Sequence, residues 1–223
     1  MHFFYAKNIQ KDFPELITGV ITIDGVTPAG NVSAWTEHFC DIAGRRLALE
    51  TEGTFPEIQA WRKAFGRMGL KPTQYRCASE ALLRRFRTDM ALPNVHPLVD
   101  LCNSISIAFA IPIAVFDRSK VIGDMEFRCT DGSEVYETFG GEIENPDVGE
   151  IIFADTSARA HARRWVNRQS GYSAVRDETT HVLIVTEAMH ETARRDIAQL
   201  VAALTRTAVE IWPLAVITEG ASR

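Results

Sequence analysis

The chain has 223 residues, of which 46% are apolar and 24% charged, with a net charge of -5 and a mean hydropathy of -0.07. That balance excludes a disordered chain, a collagen and a polytopic membrane protein, and it argues against nonspecific polyanion binding, which needs a broadly basic surface. A folded chain of this size should expose about 10,200 Å² and bury roughly 72% of its unfolded surface, while its longest nearly apolar run, Ile105 to Phe116, falls short of the ~20 residues that span a bilayer.

The N-terminal MHFFYAKNIQKDFPE lacks the charged start, apolar stretch and small-residue cleavage site of an export signal, so a cytoplasmic location is expected. Leu16 to Ile23, bounded by Pro14 and the Asp24-Gly25 turn signal, predicts a strand, and Ser33 to Glu50 a helix. Thr54-Phe55-Pro56-Glu57 has the form of a capping box, and Ile58, Trp61, Phe65 and Met68 follow at helical spacing, with Gly66 and Gly69 closing the helix. Ser79 to Arg87 predicts a short basic amphipathic helix. Pro97 can open another that runs through Phe109, with Val99, Cys102, Ser106 and Phe109 on one face.

Beyond Pro112, Ile113 to Phe116 reads as a buried strand. The strict alternation from Asp124 to Cys129, the Asp131-Gly132 pair and the return from Glu134 to Phe139 predict a hairpin, broken at Gly140-Gly141. Glu150 to Phe153 and His181 to Thr186 predict two further strands, and Glu191 to Ile211 a long helix with Ala193, Ile197, Leu200, Leu204, Ala208 and Ile211 inward. No repeat or linker divides the chain. Interleaved strands and helices predict one α/β (α+β) domain over 1-223, with mixed β-sheets and surrounding helices.

The four cysteines (Cys40, Cys77, Cys102, Cys129) lie 25 to 37 residues apart without a C-x-x-C, which suits reduced, buried thiols. Glycine-rich phosphate loops, H-E-x-x-H and G-x-S-x-G are absent. The nearest approach to a metal site is His38-x-Cys40, too sparse for one, so no metal and no cofactor is expected.

Two polar concentrations stand out in apolar surroundings. Asp100 and Asn103 share neighbouring helix faces; they could cap and brace the backbone, or Asn103 could bind the polar part of a small ligand. Between Asp155 and Gln169, the residues Arg163, Arg164, Trp165, Asn167, Arg168 and Gln169 crowd together. Guanidinium groups and an indole plane suit a phosphate-bearing nucleoside, or else the stretch is a solvated helix whose Trp165 plugs the core.

The same residues carry a resemblance. F-P-E-I-x-A-W-R-x-A-F-x-x-x-G-x-x-P-x-x-Y-R-x-x-x-E-A-L-L-R-R (Phe55 to Arg85), V-D-x-x-N (Val99 to Asn103) and R-R-W-x-x-R-Q-S (Arg163 to Ser170) resemble the free-standing B3/B4-domain proteins, over roughly 13-204. Those are similar to the editing module of the phenylalanyl-tRNA synthetase β subunit, whose V-D-x-x-N and G-Q-P-L-H-A-F-D look like Val99 to Asn103 and Ala110 to Asp117, with Ala114 in place of the histidine.

The resemblance implies a deacylase that hydrolyses the ester of mischarged tRNA in trans, or a non-catalytic module that binds a tRNA end, an amino acid or a nucleoside. On the first account Asn103 orients substrate or water, and Asp155, in place of a synthetase acid, binds the α-amino group. Arg76 and Glu80 line or brace the pocket beside Asp100. Arg164 and Trp165 hold the terminal adenosine, and Gln169 is a further substrate-binding residue. The partners are then the aminoacylated 3′ end of tRNA and its amino acid moiety, with no membrane. A third reading makes the Trp61 face a docking surface for another protein.

Overall fold

The computed structural model describes residues 2–220. In chain order the elements are β1 (Phe3–Tyr5), α1 (Lys7–Asp12), β2 (Ile17–Asp24), α2 (Ser33–Leu49), α3 (Pro56–Arg67), α4 (Ala78–Asp89), α5 (Pro97–Phe109), β3 (Ile113–Asp117), β4 (Met125–Cys129), β5 (Val135–Glu137), β6 (Ile143–Glu144), β7 (Ile151–Asp155), β8 (Arg159–Arg163), β9 (Arg168–Gln169), β10 (His181–Ala188), α6 (Ala193–Ile211) and β11 (Val216–Gly220). The accessible surface of 10452 Å² is close to the value expected for this mass.

The strands make two sheets. One is antiparallel throughout, in the order β11-β2-β10-β3; the other is mixed, in the order β1-β4-β7-β8-β5-β6, with β9 added to the second half of β8. Strand β10 is paired on both sides and buried on both faces, which is why it reads as a continuous apolar run rather than an alternation. Its Leu183 and Val185 point into the core between the two sheets, while Val182, Ile184 and Ala188 point the other way, onto α5 and α6.

The long helix α6 buries Ala193, Ile197, Leu200, Leu204 and Ala208 at the predicted spacing; Ile211 is half-buried. It can lie this close to β2 because position 19 is glycine. A Cβ there would sit 2.6 Å from the Val201 side chain and 2.9 Å from that of Thr186.

Three local expectations are corrected. Phe55, not Thr54, occupies the N-cap of α3, and no side chain caps it. The Thr54 hydroxyl instead donates to Glu50 and to the Thr51 carbonyl, and both carboxylate oxygens of Glu57 accept from a single guanidinium nitrogen of Arg46 of α2 at 2.9 Å. A charge-assisted bond outcompetes a neutral cap.

The predicted hairpin does not form either: β4 lies between β1 and β7, and β5 between β8 and β6. After β4 the chain stays bonded to the start of β7, through Thr130 N–H to Glu150 O and Gly149 N–H to Thr130 O, both 2.9 Å. Glu134, which has no exposed surface, draws its bonds from Thr130 and Arg128. The chain only bends at Gly132, φ +91°, where the Thr130 hydroxyl and the Asp131 carboxylate take the amides of Gly132 and Ser133; Asp131 does not adopt the left-handed backbone that a type I′ turn needs.

Residues 155–169, finally, are not a helix; they form the end of β7, all of β8 and the turn into β9. The four cysteines are free thiols, Cys77 and Cys102 buried, Cys40 and Cys129 half-buried. No described helix is long and apolar enough to cross a membrane.

Candidate functional site

Helix α5 opens with Pro97 at its first position and His96 at its cap, where the imidazole Nδ1 accepts from Leu98 N–H at 3.2 Å. Asp100 is spent on the same end, its Oδ1 accepting from Val95 N–H at 2.9 Å. Asn103 stands one turn further on, half-buried, and one turn before Ile107 of the inter-sheet core. Its amide makes no hydrogen bond or ion pair among the described residues and keeps contact with solvent. Ala114, half-buried on β3, faces the same inter-sheet side as Phe116.

Helix α4, which packs against α5, holds Glu80 with no exposed surface. The Arg62 guanidinium binds that carboxylate at 2.6 and 3.2 Å, and Arg76 approaches to 3.6 Å while donating to the Thr73 carbonyl. Glu80 is therefore a brace between α3 and α4, and Arg76 remains one-third exposed.

The Asp155 to Gln169 segment does not assemble into one pocket. Asp155 Oδ1 accepts from Ser157 N–H, Ser157 Oγ and Arg159 N–H, and Oδ2 from Ile122 N–H, with His161 Nε2 at 3.3 Å. Burial pushes its pKa up, but the contact with His161 and these donors outweigh that and hold it well below the usual carboxylate range. A carboxylate so occupied, with no side-chain surface exposed, locks the β7–β8 turn and is closed to a substrate ammonium, which corrects its expected role.

Trp165 is corrected too. It has no exposed surface; its indole donates to Glu187 at 3.0 Å and packs against Phe13, Trp61 and Phe127, with centroids 4.7 to 5.0 Å away. It is a core residue and offers no face to a base. Trp61 is 1% exposed, so the docking surface proposed for it does not exist. Gln169 is a strut, its Nε2 donating across the gap between the sheets to Val115 O at 2.6 Å.

Arg164 does face open space. It and Trp165 adopt left-handed backbone, φ 47° and 61°, a strain of about 1 kcal/mol or more each. Bonds from Arg164 N–H to Glu150 and from Trp165 N–H to Ile151 O hold it. The strained pair sends the indole inward and the Arg164 guanidinium over the Tyr75 ring at 5.0 Å. There it borders a cleft of about 670 Å³ shared with Arg67, Asp147 and Glu150.

The sequence reading passed over Glu187, a lone acid in the apolar strand HVLIVTEA. It lies on the inter-sheet face of β10 and accepts from Tyr5 Oη at 2.6 Å and from Trp165 Nε1. Burial pushes it up to about 7, the two donors only partly opposing the shift. A carboxylate interrupting a strand that is otherwise apolar on both faces was the available signal.

Two sheets packed face to face, with helices over the four-stranded one, define the class of domain. The same fold is seen in an N-terminal fragment of the phenylalanyl-tRNA synthetase beta-subunit from Pyrococcus horikoshii, with a TM-score of 0.52 at 9% identity, covering 97% of this chain and 50% of that one. Residues 60–208 match the B3/4 domain, and the chain belongs to that family.

Among its relatives are phenylalanine–tRNA ligase beta subunits. That of Bartonella henselae is 28% identical over 112 residues, and that of Shewanella oneidensis 26% identical over 129. The matches take in 50% and 57% of this chain but only 14% and 16% of those subunits.

Proposed function

We propose that the chain is a trans-acting deacylase, hydrolysing the ester that joins a wrong amino acid to a tRNA 3′ end. Membership of the B3/4 family, and relatives that are ligases of an amino acid to tRNA, support the substrate class. Asn103 carries the reading on the structural side. Of the eight residues expected at the site, it alone is half-buried, polar and without any hydrogen bond or ion pair among the described residues.

An aminoacyl ester is already activated, so the protein needs chiefly to position it and a water. The Asn103 amide can do both: its NH₂ donates to the ester carbonyl as charge develops there, and its oxygen accepts from the attacking water or the substrate ammonium.

Losing an oxyanion donor costs about 100-fold in turnover. Asn103→Ala should therefore lower turnover of mischarged tRNA by that order with the circular dichroism spectrum unchanged. Full activity in the variant contradicts the assignment. One observation favours a second reading, in which the module binds the charged end without cleaving it: Ala114 brings no polar group to the place where the synthetase pattern has histidine. Tight binding of a mischarged tRNA with its ester intact would select that reading.

A further inference from the structure

Helix α4 carries a second device that the site above does not use. Two glutamates, Glu80 on this helix and Glu52 on the turn packed against it, are almost wholly buried, 0% and 2% exposed, and each is shared by two arginines. Glu80 holds Arg62 and Arg76. Glu52 holds Arg87 at 2.9 Å and Arg84 at 3.5 Å. The two clusters touch through Gly53, where an added Cβ would meet both terminal nitrogens of Arg62 at 3.2 and 3.3 Å.

Four guanidinium groups against two carboxylates leave a local charge of about +2 on a chain whose total is -5. The four arginines keep 31 to 45% of their side-chain surface open to solvent. Glu80, Arg84 and Arg87 fall at i, i+4 and i+7, one stripe along a helix of 12 residues, which is about 18 Å long.

The geometry points to a phosphate-backbone clamp, formed by Arg84 and Arg87 on this stripe with Arg62 and Arg76 around its buried Glu80, that grips the sugar-phosphate backbone of the tRNA. The choice of partner rests on the tRNA reading above; the clamp itself rests on the arrangement. Arginine forks fixed from behind by buried carboxylates have already lost much of their rotamer freedom, so they order little further on meeting a phosphate, and each retains unspent N–H donors. Four such groups, held as two pairs on neighbouring carboxylates, fit a repeating diester better than a single anion.

The test uses uncharged tRNA, so that it does not depend on ester hydrolysis, with binding followed by fluorescence anisotropy as salt is raised from about 50 to 200 mM. Each phosphate contact contributes about 0.7 to 0.9 to the slope of log affinity against log salt. Glu52→Gln/Arg84→Gln/Arg87→Gln removes the buried carboxylate together with its two partners and leaves no charge uncompensated.

The expected result is a roughly tenfold loss of affinity and a salt slope shallower by one to two, with Arg84→Lys close to the original chain. If the triple variant does not fold, Arg84→Gln alone, which breaks only the looser contact, should lower the slope by about one. An unchanged affinity and slope in a folded variant, or preference for a polyglutamate peptide over tRNA, overturns the clamp. A chain that binds uncharged tRNA with the expected slope but never cleaves an ester retains the clamp and loses the deacylase.

Discussion

Glu187→Gln isolates the buried acid on β10. The folded chain holds the Glu187 proton up to about pH 7, against an ordinary value of 4.5, because the carboxyl is enclosed in the inter-sheet core. Folding therefore takes up a proton between those values. The contribution of this group is complete below about pH 4.5 and is lost as the pH climbs through about 7. At about 1.4 kcal/mol for each pH unit, the loss is about 3 kcal/mol.

Glutamine cannot titrate. It offers one oxygen to the two donors, Tyr5 and Trp165, so it forfeits about 1 kcal/mol at every pH. Urea unfolding of both proteins at a series of pH values between about 4.5 and 8 should show the variant weaker at the acid end. It should gain about 3 kcal/mol on the original by the alkaline end and overtake it there. A stability difference that stays constant across the series refutes the claim that Glu187 is held protonated by burial.

Gly19→Ala forces a methyl into Val201, Thr186 and Ile197 and should cost about 1–3 kcal/mol; a denaturation midpoint equal to that of the original chain would show that α6 can move away. Asp155→Asn should destabilise by about 2 kcal/mol, read by the same unfolding assay, because the turn donors lose a charged acceptor. Since the Asp155 pKa is depressed, its contribution is present above the ordinary aspartate value and disappears as the pH falls below it. The variant should therefore converge with the original chain in acid. Its turnover of mischarged tRNA, measured well below its melting temperature, should remain within a few-fold of the original, which separates a turn lock from a substrate ligand.

The sequence made most helices and the strands β2, β3, β7 and β10 visible because they bury apolar side chains, whereas β8, central in the mixed sheet, stays hidden because its sequence, RAHAR, is rich in charge. The stripe Ile58, Trp61, Phe65 in α3, the inward row of α6 and the apolar run of β10 all lie where periodicity put them. It could not show β1, β6 and β9, of two or three residues, since short strands are defined by their partners. The failed hairpin has the same origin. Alternation fixes which face a residue takes, and says nothing about whether β4 finds its neighbour in β5 or in β7.

At the site, residue type was legible and commitment was not. Asp155, Gln169 and Trp165 look like ligand residues on paper, but turn amides, a cross-sheet carbonyl and a buried carboxylate claim them first. The reverse holds for Glu52, whose burial only tertiary contacts reveal, while Glu187 was marked by its place in an apolar strand.

The most direct test is to incubate the chain with a panel of tRNAs each carrying a wrong amino acid and to follow ester loss over the uncatalysed rate. The account predicts that at least one pair is cleared catalytically, with Asn103→Ala abolishing most of the gain while correctly charged tRNA survives. Ester lifetimes identical with and without protein across the whole panel would contradict it.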